Sequence, residues 1–152
     1  MRASSDVLGS GHLTARFTFP YNNSGTHYIS GSFGSLPMKK LNQTTKNLGA
    51  VQIESGQIHS MNFDMELGPT ESTGSLNMNY SNLKIKILEF DETKKQNPKQ
   101  FQSLLANTFV IKKNNKPPLR TGTISFERNP EKSIFNYWWK SLLSGLKSSI
   151  GL

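Results

Sequence analysis

The sequence predicts a mainly β fold, a curved antiparallel sheet or open, groove-like β structure with short helical crossings, closed by an amphipathic C-terminal helix. Three observations carry this prediction. Apolar and polar residues alternate with a period of two through Leu13–Phe19, Met61–Leu67, Leu76–Tyr80 and Leu83–Ile87, the pattern of strands with one hydrated face. One-sided alternation marks an antiparallel sheet, because parallel strands covered on both faces read as solid apolar runs. Beyond residue 129 the apolar spacing lengthens to that of a helix.

The chain has 152 residues, enough for one core. Only 34% of them are hydrophobic, so that core is expected to be thin. No run approaches the length of a spanning helix, and Met1–Gly11 lacks the apolar stretch of a secretory signal. With no cysteine, disulfides, thiolate metal sites, cysteine nucleophiles and iron–sulfur clusters are excluded.

In chain order, residues 1–11 are expected to be a disordered or irregular lead-in. Leu13, Ala15, Phe17 and Phe19 then form one face of a strand, which Pro20 and the cluster Asn22-Asn23-Ser24-Gly25 end in a turn. Thr26–Phe33 is a shorter strand with Gly31 and Gly34 marking a bend. Leu36–Leu48 reads equally as a helical turn or an irregular crossing. Val51–Leu67 is a long strand interrupted at Glu54-Ser55-Gly56, where glycine suits a bulge or tight turn. Gly74–Tyr80 and Leu83–Ile87 alternate again. Asp91–Lys99 reads as an exposed loop. Phe101, Leu104 and Leu105 have helical spacing, Phe109 and Ile111 begin a strand pattern, and Thr121–Phe126 supplies the last strand. The expected organisation is a lead-in at 1–11, a β-rich groove-like domain at 12–128 and a helix at 129–152.

For the terminal segment, Asn129-Pro130-Glu131 places a capping residue, a first-turn proline and an early acid in helix-starting order. At about 100° per residue, Phe135, Trp138, Trp139, Leu142, Leu143, Leu146 and Ile150 share an arc of roughly 140°. Ser133, Asn136, Lys140, Ser144, Lys147 and Ser148 occupy much of the opposite side. Gly145 weakens such a helix by about 1 kcal/mol relative to alanine, so its formation depends on burying the apolar stripe. Two indoles flanked by lysines suit a lipid headgroup boundary; the same stripe also suits packing on the sheet, and the two readings stay open.

The net charge of +8 is uneven. Residues 1–75 balance, and the entire excess lies in the second half, which points to an acidic surface there, either nucleic acid or anionic lipid. Catalytic signals are missing. His12, His27 and His59 have no metal-site spacing and read as solvated or satisfied strand residues. Asp64 and Glu66 alternate with Phe63, Met65 and Leu67 as an outer strand face would. Gly9-Ser10-Gly11 and Gly31-Ser32-Phe33-Gly34 lack the lysine and helix of a phosphate loop. The expectation is therefore a non-enzyme with no catalytic residue, metal or cofactor.

Several stretches together carry a family resemblance: His27–Gly34, Leu41-Asn42, Val51–Ile58, Gly74–Ile85, Asn107–Asn115, Gly122–Arg128 and, most specifically, Phe135-Asn136-Tyr137-Trp138-Trp139-Lys140-Ser141-Leu142-Leu143. Over residues 12–152 the chain resembles the C-terminal region of AsmA-like proteins of Bacteroidetes-type bacteria. The resemblance implies a piece of a longer envelope protein, anchored upstream in the inner membrane and extending through the periplasm as a β-rich groove, similar to bridge-like phospholipid carriers. It implies that the upstream chain is a partner, and it leaves open whether Met1 is a natural start.

Two functions follow as expectations. The first is a membrane-associated module of the periplasm or cell envelope, implicated in phospholipid transport or outer-membrane biogenesis. Phe17, Phe19, Ile53, Phe63, Met65, Leu76 and Met78 would line its lipid-accommodating groove. Phe135, Trp138, Trp139, Lys140, Leu142, Leu143, Leu146 and Lys147 would contact lipid or a membrane surface. The second is a basic β module that binds nucleic acid or another polyanion through Lys84, Lys86, Lys94, Lys95, Lys112, Lys113 and Lys116. The first is preferred, because only Phe90, Phe101 and Phe109 are interleaved with those lysines as base-stacking rings.

Overall fold

A computed structural model describes residues 1–21, 25–42, 51–87 and 112–151. Among these, the chain forms one antiparallel sheet of seven strands and one α-helix, as the alternation predicts. The strands are β1 (Arg2–Val7), β2 (Gly11–Thr18), β3 (His27–Phe33), β4 (Leu36–Pro37), β5 (Val51–Leu67), β6 (Glu71–Ile87) and β7 (Thr121–Glu127), followed by α1 (Ile134–Ile150). The spatial order is β1-β2-β3-β5-β6-β7, with β4 also paired to β5. The sheet is open, with β1 and β7 as its edges.

β5 and β6 form a long hairpin that is the spine of the sheet. Pairing begins with Leu67 opposite Ser72 and runs to Val51 opposite Ile87. Along the other side of β5 lie β3, then β4, then Asn42, whose side-chain amide bonds both main-chain groups of Ile53 at 2.8 and 2.9 Å. A side chain thus continues the ladder where the strand stops. The interruption expected at Glu54-Ser55-Gly56 is a set of register shifts within an unbroken strand. Gly56 adopts φ 140°, and a Cβ there would meet Met38 Sδ at 2.8 Å.

One sheet face is apolar and the other hydrated. Ile29, Phe33, Met61, Leu76, Met78 and Ile124 are buried together, while Ser30, Ser32, Asn62, Asp64 and Thr123 on intervening positions face solvent or are half-buried. Leu36 and the 3-10 turn Met38–Leu41 extend this core, a helical turn at the start of the crossing read over Leu36–Leu48; its remainder, 43–48, lies outside the described residues. The helix and strand patterns read at 101–111 and the loop at 91–99 lie outside the described residues.

Two expectations are corrected. The lead-in at 1–11 is not irregular: Arg2–Val7 pairs along its whole length with Gly11–Arg16. Its side chains are almost all exposed, so the strand is held by main-chain hydrogen bonds to β2, which apolar periodicity does not report. The helix starts at Ile134 and not after Asn129. Asn129 Oδ1 accepts from Glu131 N–H in a local turn, and Ser133 is the N-cap, its Oγ accepting from Asn136 N–H at 3.2 Å.

The helix is seated by its small residues. Ser141, Gly145 and Ser149 are buried, and Ser144 and Ser148, expected on the hydrated side, accept hydrogen bonds from the edge of β7. Thr123 N–H donates to Ser148 Oγ at 2.9 Å and Ser125 N–H to Ser144 Oγ at 3.0 Å. The repeat distances match: four helical residues rise about 6 Å and two strand residues about 6.7 Å, so serines at i and i+4 meet alternate amides of a strand running the other way. A Cβ on Gly122 would run into the Gly145 carbonyl oxygen, and one on Gly145 would lie 2.6 Å from Ile124 Cγ1.

Gly122→Ala should therefore lower stability by about 1–3 kcal/mol, read as a reduced urea midpoint. The Ser144→Ala and Ser148→Ala substitutions should each cost about 1 kcal/mol by leaving a strand amide without its acceptor.

Candidate functional site: the aromatic end of the sheet

The β2–β3 connection, the β5–β6 turn, the end of β7 and the first turns of α1 lie at one end of the sheet. Arg128 N–H bonds Thr70 O, and Tyr137 Oη donates to Gly68 O at 3.1 Å, tying the start of the helix to the β5–β6 turn. Behind this tie, Ser72 Oγ and Ser141 Oγ are 2.7 Å apart in the core. Arg128 stacks over the Tyr137 ring at 5.6 Å.

Trp138 is the hub of the end. Its ring centroid is 5.1 Å from Phe17, 5.1 Å from Phe135 in an edge-on contact and 5.8 Å from His27. His27 in turn stacks on Phe19 at 5.5 Å. The Trp138 Nε1–H donates to His27 Nε2 at 2.7 Å, which requires that nitrogen to be an unprotonated acceptor. His27 is 6% exposed. Burial holds its pKa below the ordinary 6.5, opposed by a hydrogen bond with the Gly25 backbone and assisted by the positive charge of Arg128.

Around this packed hub is an exposed rim. Phe19 is 52% exposed, Phe135 71% and Trp139 36%, and Tyr21 is fully exposed. Phe135 and Trp139 are neighbours at i and i+4 on the helix surface. Lys132 precedes the helix, exposed, and Lys140 within it is half-buried.

The residues expected to contact lipid are therefore divided. Phe135, Trp139 and Lys147 are exposed; Lys140 is half-buried; Trp138, Leu142 and Leu146 pack partly buried against the core, and Leu143 is buried. Of the residues expected to line a groove, Phe63, Met65, Leu76 and Met78 are at most 6% exposed within the core, Phe17 and Ile53 are half-buried beside it, and only Phe19 opens to solvent. The apolar face is filled by side chains at these positions.

Lysines gather at the opposite end. Lys84, Lys112, Lys113, Lys116 and Lys147 are exposed there. Asn115 organises the segment: it pairs with Tyr80 through main-chain bonds, while its side chain bonds Met78 O at 2.8 Å and both main-chain groups of Arg120. Arg120 Nη2 donates to buried Tyr80 Oη at 3.2 Å and to Asn114 O. Burial raises the Tyr80 pKa, while Arg120 opposes that shift. The Lys86 side chain, Lys94 and Lys95 lie outside what is described.

Sequence reasoning missed the His27–Trp138 pair and the Asn115–Arg120–Tyr80 network. The indole's need for an acceptor was the only available signal for the first, and it does not choose among the three histidines. Of the other two, exposed His12 Nδ1 pairs with Asp6 at 2.9 Å and exposed His59 Nε2 lies 2.8 Å from Ser81 Oγ. Among the described residues no three His, Cys, Asp or Glu side chains converge, and no helix is long and apolar enough to cross a membrane.

Comparison with family models, curated proteins and solved structures finds no match to the chain.

Because His27 takes up a proton less readily folded than unfolded, the unfolded chain binds more protons between the two pKa values. The stability from this site is fully present above pH about 6.5 and declines as pH falls from there toward the folded value. Urea unfolding across that range should show this slope. His27→Gln, which keeps an oxygen acceptor for the indole without titrating, should remove it.

Proposed function

We propose that this chain is a non-catalytic module of the cell envelope that rests on a membrane surface through its aromatic end, within a longer AsmA-like protein of the periplasm. The observation that supports this most is the exposed rim of Phe19, Tyr21, Phe135 and Trp139 around a rigid, packed hub. Phe19, stacked on His27, and Phe135, edge-on to Trp138, are already held and enter the headgroup boundary with little further loss of side-chain entropy, while Tyr21 and Trp139 add apolar bodies with polar edges that stay wet. Exposed Lys132 at this end is accompanied by exposed Glu71, Glu127 and Glu131, so the contact rests on the rings and not on charge. The filled apolar face favours surface contact over enclosure of an acyl chain in the sheet.

The cluster of Lys84, Lys112, Lys113, Lys116 and Lys147 favours a second reading, a polyanion bound at the opposite end. The two readings separate by where binding is lost and by its salt dependence. Vesicle flotation should recover the chain with anionic vesicles, and Phe135→Ser with Trp139→Ser should reduce recovery severalfold while leaving the urea midpoint nearly unchanged, because both side chains are exposed. Trp138→Ser is unsuitable for this purpose: it removes the packed hub and lowers stability. Unaltered flotation of the double variant would reject the aromatic contact. Steeply salt-dependent binding of single-stranded oligonucleotides, lost on replacing Lys112, Lys113 and Lys116, would favour the polyanion.

A further inference from the structure

The two edges of the sheet are treated differently. The outward amides of β7 are bonded by helix serines. Those of β1 have no such partner among the described residues. Phe17 N–H donates to Met1 O at 2.8 Å, and the Met1 amine donates to Phe17 O at the same distance. In an antiparallel ladder such mutually bonded pairs recur every second residue, here at Ala3 with Ala15, Ser5 with Leu13 and Val7 with Gly11. The N–H and C=O groups of Arg2, Ser4 and Asp6 therefore point away from the sheet. Their side chains share the hydrated face with Arg16 and Thr14, the β2 partners of Arg2 and Ser4.

This edge carries an unbalanced charge pattern. Arg2 lies directly across from Arg16, a destabilising pairing of like charges, and no ion pair engages either of them among the described residues. Among the described residues the Asp6 carboxylate has one partner, exposed His12 four residues from Arg16 on β2, while Ser5 Oγ donates to the Asp6 carbonyl at 3.5 Å. Opposite charges placed symmetrically about Ser4 make the edge complementary to itself.

We propose that two copies of this chain associate edge to edge through β1, antiparallel about a two-fold axis at Ser4, so that Arg2 of each faces Asp6 of the other. In that register Ser4 faces Ser4, and each facing pair exchanges two main-chain hydrogen bonds. Asp6 supplies the carboxylate that Arg2 lacks and offsets the repulsion from Arg16. Sliding by two residues loses both ion pairs, and parallel pairing sets Arg2 on Arg2, so the charges select one register. The interface contains few apolar groups, and the association is weak and concentration-dependent. It does not rest on the membrane reading.

Sedimentation velocity over a concentration series should show reversible dimerisation. Arg2→Glu or Asp6→Arg alone should weaken it about tenfold, and the two together should restore it, because the pairs are re-formed with reversed polarity. The rescue separates pairing from any effect on folding. The absence of native cysteine permits a second measurement. Facing Cα atoms in this register lie about 5.5 Å apart, within disulfide reach, so Ser4→Cys should form a disulfide-linked dimer on mild oxidation faster than Ser5→Cys, which would face Ala3. A chain monomeric throughout the series whose two cysteine variants cross-link at equal rates would overturn the proposal, as would a double charge reversal no better than the single ones.

Discussion

The seating of α1 on the edge of β7 governs the rest of the molecule. A strand edge exposes alternate amides that must be bonded by another strand, by water or by side chains. Here serines one helical turn apart supply the acceptors, and glycine opposite glycine lets the two backbones approach closely enough for those short side chains to reach. Larger residues at Gly122 or Gly145 would push the helix outward and break both bonds together.

That seating also sets the rotation of the helix. On a wheel of about 100° per residue, Ser141, Gly145 and Ser148 are centred roughly 120° from the middle of the apolar stripe. Turning them toward the sheet brings Trp138 and Leu142 against the core and leaves Phe135 and Trp139 partly in water. The exposed aromatic rim follows from polar requirements at a strand edge. Its rigidity comes from the layer beneath, where Trp138 is held by Phe17 and by an imidazole that must stay neutral to accept the indole proton. Loss of that acceptor on protonation links the packing of this end to pH.

The strands of the apolar face were legible because each buries alternate residues: Phe63, Met65 and Leu67 on β5 and Leu76, Met78 and Tyr80 on β6 are buried in the pattern they display. The first strand was not. Arg2-Ala3-Ser4-Ser5-Asp6 buries almost nothing, and its conformation comes from the neighbouring edge of β2. The helix was legible as an element, with its start misplaced by a few residues because Asn129 and Ser133 are both competent caps and only the local turn at Asn129 separates them. Of the candidate site, Phe135 and Trp139 could be nominated from their helical spacing, whereas the roles of His27 and Ser144 could not.

What the sequence determined by itself was a one-sided antiparallel sheet followed by a two-faced helix, since period and composition act locally and each strand or turn meets them separately. Which face of that helix meets the sheet was decided only in the tertiary structure. Apolar burial alone would turn the stripe of Phe135, Trp139, Leu142 and Leu146 inward. The unbonded amides of Thr123 and Ser125 favour the serines, and that demand exists only once β7 has become an edge.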